Sequence, residues 1–392
     1  MTLINDSKTL RSLCKELDKQ PFICVDTEFI RERTYWPKLC LIQICGPNGK
    51  AFAIDPLSEK LDLSPIFSLM KNPQVIKVLH AAHQDLEIFL HLTGQLPNPV
   101  FDTQIAAMVC GFGESASYET LARKIASARI DKSSRFSDWS HRPLDERQLQ
   151  YALADVLHLP LIYTRLQQQL NEANRISWIA DEMAALGKIE EYIIEPTNYW
   201  QRIKTKGASS RTLAILREVA AVREKWARHQ DIPRQYVVKD QSLLEMSSSQ
   251  PKTVEQLARV RGLQSSAATG KLGTALLEAI RKGLSLKADE CPRPARRSDN
   301  LQISGAIIDL LKVLLKMRCD EHSIAPKLVA KSSDLAEIAA GIKETPALAG
   351  WRKEIFGQDA LKLLDGELSL MVKNNHIELR KTSKQRTDVS AR

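Results

Sequence analysis

The hydrophobic pattern divides the chain into a front part that mixes strands and helices and a rear part that is helical. Short apolar, β-rich runs predict strands at 22–29, 39–45, 51–55, 75–79 and 100–102. Helical periodicity occurs between and after them, at 64–71, 83–92, 103–110, 118–127 and 145–170. The first three strands follow one another closely, as in an antiparallel meander, whereas helices separate the later ones, as in βαβ units. The pattern therefore predicts a mixed sheet flanked by helices over residues 1–190.

No segment after about residue 171 has the pattern of a strand. Residues 191–208, broken at Pro196, predict a connector. Helical segments near 209–228, 242–246, 253–259 and 270–284 predict an all-helical unit over 209–286. The stretch KADECPRPARRSDN (287–300) has two prolines and no apolar face, so it predicts a linker. ISGAIIDLLKVLLKMRCDEH then begins a second helical unit over 301–375, and the polar tail 376–392 is expected to fray.

The two rear units resemble each other. LREVAAVREKWARHQDIPRQYVVKDQSLLEM and LLKVLLKMRCDEHSIAPKLVAKSSDLAEI share the same order of segments: a long helix, an Ile-Pro or Ile-Ala-Pro loop, a basic segment and a short helix. The shared loop at the same offset favours an internal duplication over two unrelated bundles.

The composition predicts a protein of the cytoplasm. With 43% hydrophobic and 26% charged residues the chain is typical of globular proteins, and no uninterrupted apolar stretch is long enough for a membrane span. The N-terminus MTLINDSKTLRSLCKEL has scattered charges and no apolar core of a signal peptide, so it predicts a first helix. The seven cysteines are odd in number, contain no C-x-x-C and lie partly in apolar runs, which indicates reduced core thiols. The oligomeric state stays open, with a monomer preferred.

Charge is distributed unevenly along the chain. Of the 56 Lys and Arg and the 47 Asp and Glu residues, residues 1–195 hold 21 and 25, a net charge of −4. Residues 196–392 hold the remaining 35 and 22, a net charge of +13. An acidic front and a basic rear favour a polyanion bound at the rear and processed at the front. Drift and solubility are the alternative explanation, and charge alone does not decide between them.

Two carboxylates end the strand PFICVDTEFI. Because side chains alternate along a strand, Asp26 and Glu28 project from the same face while Thr27 points away. Two such acids repel each other, and burying them unpaired costs several kcal/mol. Either Arg31 and Arg33 offset the charge in an ion-pair network, or a divalent metal does, since Mg²⁺ binds oxygen ligands.

Further acids strengthen the metal interpretation. In HAAHQDLEIFL, Asp85 lies in the first turn of a helix that follows the strand VIKVL, where it is either a dipole partner or a ligand delivered to the end of the sheet. DERQLQYALADVLHLPLIY predicts one uninterrupted helix on which Tyr151 and Asp155 share a face. A core tyrosine with an exposed aspartate is the alternative. The leucine and valine stripe already supplies an apolar face, so Asp155 need not face water.

Four acids match the charge of two divalent ions. Two such ions stabilise the attacking and the leaving oxygen of an in-line displacement at phosphorus. Tyr151, one turn from Asp155, is placed to orient the attacking water. A phenol with a pKa near 10 is a poor base, so orientation is the preferred role.

The order of these acidic motifs resembles that of a known family. The order D-x-E, helix-starting Asp and Y-x-x-x-D resembles the DEDD exonuclease superfamily in its tyrosine subclass. More specifically, the chain resembles the bacterial ribonuclease D family in VDTEFIRERTYWPKLCLIQI, LHAAHQDLEIFL, FDTQIAAMVCGFG and SDWSHRPLDERQLQYALADVLHLPLIY. The rear units resemble helicase-and-RNase-D C-terminal (HRDC) domains in two copies. The resemblance spans residues 1–375 and implies an RNase H-like α/β exonuclease domain followed by two all-α HRDC domains.

The resemblance also implies site residues and a substrate. Asp26, Glu28, Asp85 and Asp155 would bind two divalent ions, Mg²⁺ or Mn²⁺, and Tyr151 would position the nucleophilic water. Asp102 is expected to support the fold or the ligand set instead of binding metal. Gln43, Trp139 and Arg142 are weaker candidates for lining the RNA path.

The implied reaction is 3′–5′ hydrolysis of RNA to 5′-nucleoside monophosphates, with transfer-RNA precursors and other small structured RNAs as the expected substrates. The basic rear domains would hold the RNA body through its phosphates. A DNA-directed exonuclease of the same superfamily is one alternative. A non-catalytic nucleic-acid-binding protein is another, but it predicts the loss of at least one of the five key residues, and none is lost.

Overall fold

A computed structural model describes residues 3–131, 133–134, 137–205, 207–293 and 304–382 of the chain. Across those ranges, no helix has both the length and the apolar character needed to cross a lipid bilayer. All seven cysteines are free thiols, and most of them are buried.

The front domain is built on a six-stranded mixed sheet with the strand order β1-β4-β3-β2-β5-β6. Its strands are β1 (Leu3–Ile4), β2 (Phe22–Ile30), β3 (Lys38–Cys45), β4 (Ala51–Ile54), β5 (Ile76–Leu79) and β6 (Val100–Asp102). Strands β2, β3 and β4 form the expected antiparallel meander, and β5 and β6 run parallel to β2. The sequence pattern missed β1, because a strand of two residues has no measurable periodicity.

Helices cover both faces of this sheet. They are α1 (Ser7–Leu17), α2 (Ser64–Lys71), α3 (His83–Thr93), α4 (Thr103–Met108), α5 (Tyr118–Ala126), α6 (Glu146–Leu157), α7 (Leu159–Glu172) and α8 (Ala180–Ala185). The expectation of one uninterrupted helix over 145–170 was wrong, because the chain turns at His158 between α6 and α7. Pro160 lies in the first turn of α7, where its missing N–H costs nothing.

The first rear unit is helical, as expected. It contains α9 (Ser210–Gln230), α10 (Arg234–Val237), α11 (Asp240–Ser249), α12 (Val254–Ala258), α13 (Ser265–Thr269) and α14 (Lys271–Ser285). Its buried side chains, including Leu216, Leu243 and Ile280, form a hydrophobic cluster of their own. The connector before it is not extended, because residues 196–202 form a 3₁₀ helix. Residues 294–300 of the expected linker lie outside the described residues.

The second rear unit is not purely helical. It contains α15 (Gly305–His322), α16 (Pro326–Val329), α17 (Ser332–Ala339), α18 (Gly350–Arg352) and α19 (Gln358–Leu364), followed by an antiparallel hairpin of β7 (Leu368–Lys373) and β8 (His376–Lys381). The expectation that no strand follows residue 171 was therefore wrong. The expectation that the tail frays from residue 376 was also wrong for residues 376–381, which form β8. Asn374 and Asn375 both have positive φ angles, the conformation that two-residue hairpin turns require.

Both rear units contact the front domain through the turn that follows their first helix. The two helices end at left-handed residues in equivalent places, Asp231 and Ser323. The Asp231 carboxylate accepts hydrogen bonds from the backbone N–H groups of Tyr35 and Trp36, both at 3.0 Å. Two residues after Ser323, the backbone N–H of Ala325 donates to the Met108 carbonyl at 2.8 Å.

The second unit shares a hydrophobic core with the front domain. One continuous cluster of buried side chains contains Val78 and Phe101 from the sheet together with Leu314 and Phe356 from the second unit. The indole rings of Trp178 and Trp351 stack across the boundary, with centroids 4.7 Å apart and planes 6° apart. Although the first helical unit and a linker separate the two parts in the chain, they therefore pack as one body.

Candidate active site

Three carboxylates that are distant in the chain converge at the end of β2. Asp26 and Glu28 extend from the same face of the strand, and Asp155 reaches them from α6. One carboxylate oxygen from each lies within 4.8 Å of the other two. The capping box formed by Asp145 and Gln148 fixes the start of α6 and so helps to position the helix that carries Asp155.

Asp85 lies beside this group of three acids. It is in the first turn of α3, as expected, and it is buried. Its carboxylate accepts a hydrogen bond from the hydroxyl of Thr27, the residue between the two strand acids. Burial raises the pKa of Asp85 to about 7, the Thr27 hydrogen bond opposes this rise, and the nearby Asp102 charge adds to it.

Tyr151 lies one helical turn before Asp155 and forms a side-chain hydrogen bond with it. Its ring packs near Trp139, with centroids 6.0 Å apart. Burial, together with the charges of Asp155, Glu28 and Asp26, raises the pKa of Tyr151 far above its usual value of 10. In the metal-free site the phenol is therefore protonated, and its hydroxyl is available as a hydrogen-bonding group.

The donor set fits divalent cations. Burial raises the pKa of Asp26 well above its usual value, and the charges of Asp85, Asp155 and Glu28 raise it further. Arg31, one of the two arginines that could have offset these acids, instead pairs with Glu87 through two hydrogen bonds of 2.7 and 2.8 Å. Within the described part of the chain, carboxylates alone form this convergent group, and carboxylate oxygens are the ligands that Mg²⁺ and Mn²⁺ prefer.

A cavity of about 340 Å³ opens at the acids. Asp26, Tyr151 and Asp155 line it together with residues that sequence reasoning missed, which are His80, Gln104, Ser117, Tyr118, Glu119 and Ile130. Tyr118 is fixed in the wall, because its hydroxyl donates to the Ala154 carbonyl at 2.7 Å and accepts from the His158 N–H at 3.2 Å. His80 lies five residues before Asp85 in the quoted HAAHQD motif, and this proximity in the sequence could have predicted that His80 lines the cavity.

The three weaker candidates for the RNA path are largely buried or bound within the fold. Gln43 faces the same side of the sheet as its cross-strand partner Asp26, but it is 0% exposed. Trp139 is only 3% exposed. The guanidinium of Arg142 uses all five of its N–H groups on Asp55 and on three backbone carbonyls. Two of these residues are therefore buried and the third is committed to the fold, and their place along an RNA path stays a prediction.

Asp102 supports the turn that precedes α3. Its carboxylate accepts hydrogen bonds from the backbone N–H groups of Ala81, Ala82 and Gln104 at 2.7–3.0 Å. Ala81 has a positive φ of 58°, which is strained for a residue with a side chain. Asp102 thus fixes the loop that places Asp85.

Comparisons with known proteins agree with this architecture. A family model described as "3'-5' exonuclease" matches residues 1–171, and one described as "HRDC domain" matches residues 212–280. The ribonuclease D of Jannaschia sp. (strain CCS1) is 44% identical over 379 residues, which cover 96% of this chain and 98% of that relative. The ribonuclease D of Granulibacter bethesdensis is also 44% identical, with 96% of each chain covered.

A solved structure extends the similarity to the whole fold. The crystal structure of Escherichia coli RNase D, described as "an exoribonuclease involved in structured RNA processing", matches with a TM-score of 0.78 and 29% identity. The match covers 93% of this chain and 98% of that chain, so it includes the rear helical units. With these relatives and the α/β exonuclease architecture described above, the chain belongs to the ribonuclease D family of 3′–5′ exoribonucleases.

Proposed function

We propose that this protein removes nucleotides from the 3′ ends of RNA as 5′-nucleoside monophosphates, at a site where Asp26, Glu28, Asp85 and Asp155 hold two divalent cations, Mg²⁺ or Mn²⁺. The observation that carries the proposal is the convergence of the Asp26, Glu28 and Asp155 carboxylates within 4.8 Å. Asp85 lies outside this group of three, but its carboxylate is bound to the hydroxyl of Thr27, between the two strand acids, and we assign it as the fourth ligand. When bound, such cations lower the pKa of a coordinated water and neutralise charge on the leaving oxygen.

The protein's own groups position the reactants. Tyr151 stays protonated, and its hydroxyl, fixed by Asp155, orients the attacking water. The 340 Å³ cavity is of a size to take the terminal nucleotide, and Tyr118 forms a rigid part of its wall. Binding of the terminal nucleotide in this cavity accounts for action from chain ends.

We further propose 3′ maturation of transfer-RNA precursors and other small structured RNAs in the cytoplasm, by a monomer. Two observations support a structured substrate. Residues 196–392 carry a net charge of +13, which suits the phosphates of a folded RNA body. The E. coli relative is described as acting in structured RNA processing.

The variant Asp155→Asn tests the proposed site. The loss of one ligand charge should abolish hydrolysis of a 3′-labelled RNA and weaken Mn²⁺ binding, measured by electron paramagnetic resonance, by at least tenfold. RNA binding measured without hydrolysis should persist, because the basic rear units are intact. The matched control Asp309→Asn removes an exposed carboxylate on α15 and should behave as wild type.

Undiminished hydrolysis by Asp155→Asn, or unchanged Mn²⁺ binding, would contradict the proposal. Matched RNA and DNA oligonucleotides in the same assay separate the two substrate classes, and faster hydrolysis of DNA would overturn the proposed RNA substrate.

A further inference from the structure

A second cleft, of about 440 Å³, lies between the exonuclease domain and the first helical unit. Four arginines line it, with Arg31 from the exonuclease side and Arg202, Arg228 and Arg234 from the connector and the first helical unit. Glu87 and Glu191 are the acids in its lining. The cleft is thus a place where two parts of the chain bring positive charge together.

The arginines of the cleft differ in whether an ion pair neutralises their charge. Arg31 is paired with Glu87, while Arg228 and Arg234 share the buried carboxylate of Glu224. Arg202 is exposed, its guanidinium lies near the ring of Tyr199, and within the described residues it has no ion pair. Arg202 therefore leaves an unneutralised charge at the cleft.

Aromatic rings pack against the groups of the cleft. The rings of His83 and Tyr192 stack at 4.7 Å, and the guanidinium of Arg234 lies over the rings of Tyr35 and Tyr199 at 4.5 and 4.2 Å. These ring contacts hold the Arg234 guanidinium in place at the cleft, and cations lining a groove are the groups that contact the backbone phosphates of single-stranded nucleic acid.

Residues that line the cleft are neighbours in the chain of residues in the acid site. Arg31 follows directly after β2, which carries Asp26 and Glu28, and His83 lies two residues before Asp85 in the first turn of α3. We propose that this cleft binds the backbone phosphates of the single-stranded RNA segment upstream of the nucleotide in the acid site. The inference rests on the proposed function, and it assigns a substrate-binding role to Arg202 at the junction of two domains.

Paired charge changes test the cleft. Binding of a fluorescent single-stranded RNA is measured by anisotropy with full-length protein over a range of salt concentrations, in EDTA. Arg202→Gln should weaken binding severalfold and lower the slope of log K against log salt by about 0.7, the value for one single-strand phosphate contact. Glu191→Gln removes an acid from the same cleft and should strengthen binding. Arg165→Gln, which changes an exposed arginine on α7, is the control and should match wild type.

The binding changes of the three variants show whether the cleft contacts the RNA backbone. Opposite shifts for Arg202→Gln and Glu191→Gln, with Arg165→Gln unchanged, would support the cleft. If both cleft variants bind like Arg165→Gln, or shift in the same direction, the cleft does not contact the backbone. A wild-type protein that binds no RNA would instead overturn the proposed function together with the cleft.

Discussion

The hydroxyl of Tyr35, in the exonuclease domain, donates a hydrogen bond to the carboxylate of Glu224, 189 residues later in the first helical unit. Glu224 is fully buried and also accepts hydrogen bonds from Arg228 at 3.1 Å and Arg234 at 2.6 Å. Tyr35 belongs to the loop that follows the acid-bearing strand β2. A helical unit therefore holds a loop of the catalytic domain through a buried charge network.

Replacing Glu224 by Gln should destabilise the protein by about 2 kcal/mol, because two arginines lose their ionised partner. Burial pushes the pKa of Glu224 up, but Arg234, Tyr35 and Arg228 outweigh burial and hold it below the ordinary 4.5. The stabilisation is thus present above pH 4.5 and is lost as the pH falls through the folded-state pKa. Urea unfolding of wild type and variant should differ at neutral pH and converge in acid. Glu278→Gln, an exposed change on α14, is the control, and an equal effect from it would contradict the network.

Replacing Tyr151 by Phe should lower kcat by about a hundredfold, because the ring stays but the hydroxyl that orients water is lost. Mn²⁺ affinity should change little, since the four carboxylates remain. Tyr163→Phe provides the matched control, because Tyr163 is a largely buried tyrosine of α7 outside the cavity. A Tyr151→Phe enzyme as fast as Tyr163→Phe would refute the orienting role.

Stabilisation by Mn²⁺ should increase with pH. Burial raises the pKa of Asp26 and Asp85 in the folded, metal-free protein, so both hold protons at pH values where the unfolded chain has released them. The stability of the metal-free protein therefore falls as the pH rises from about 4 to 7. Since metal ligation needs the ionised acids, the increase in Tm on adding Mn²⁺ should be larger at about pH 8 than at about pH 5.5. An equal increase at both values would show that these acids do not bind the ion.

The stack of Trp178 on Trp351 should contribute measurably to the free energy of packing between the exonuclease domain and the second helical unit. Changing either residue to Ala should destabilise the protein, and a double-mutant cycle should give a coupling energy of about 1 kcal/mol. The same cycle between Trp178 and Trp200, in the 3₁₀ helix of the connector, provides the control, with an expected coupling near zero. A coupling near zero for Trp178 and Trp351 as well would mean that the stack does not hold the two parts together.

The shared core changes how a truncation is interpreted. The second unit looked separable from the sequence, because a linker with two prolines precedes it. In the structure Leu314 and Phe356 pack in the same cluster as Phe101, so deletion of residues 301–392 would expose the core of the exonuclease domain. Loss of activity in such a truncation would report lost stability as much as lost RNA binding.

The sequence by itself determined the strands and helices with clear periodicity, the shared face of Asp26 and Glu28, and the position of Asp85 in the first turn of its helix. These features follow from local rules, since side-chain direction repeats every two residues in a strand and every 3.6 in a helix. Only the tertiary structure decided that Gln43 is buried beneath the site, that Arg142 is fully used by the fold, and that Arg202 shares a cleft with Arg31. Such facts depend on which distant segments pack together, and no periodicity within one segment contains that information.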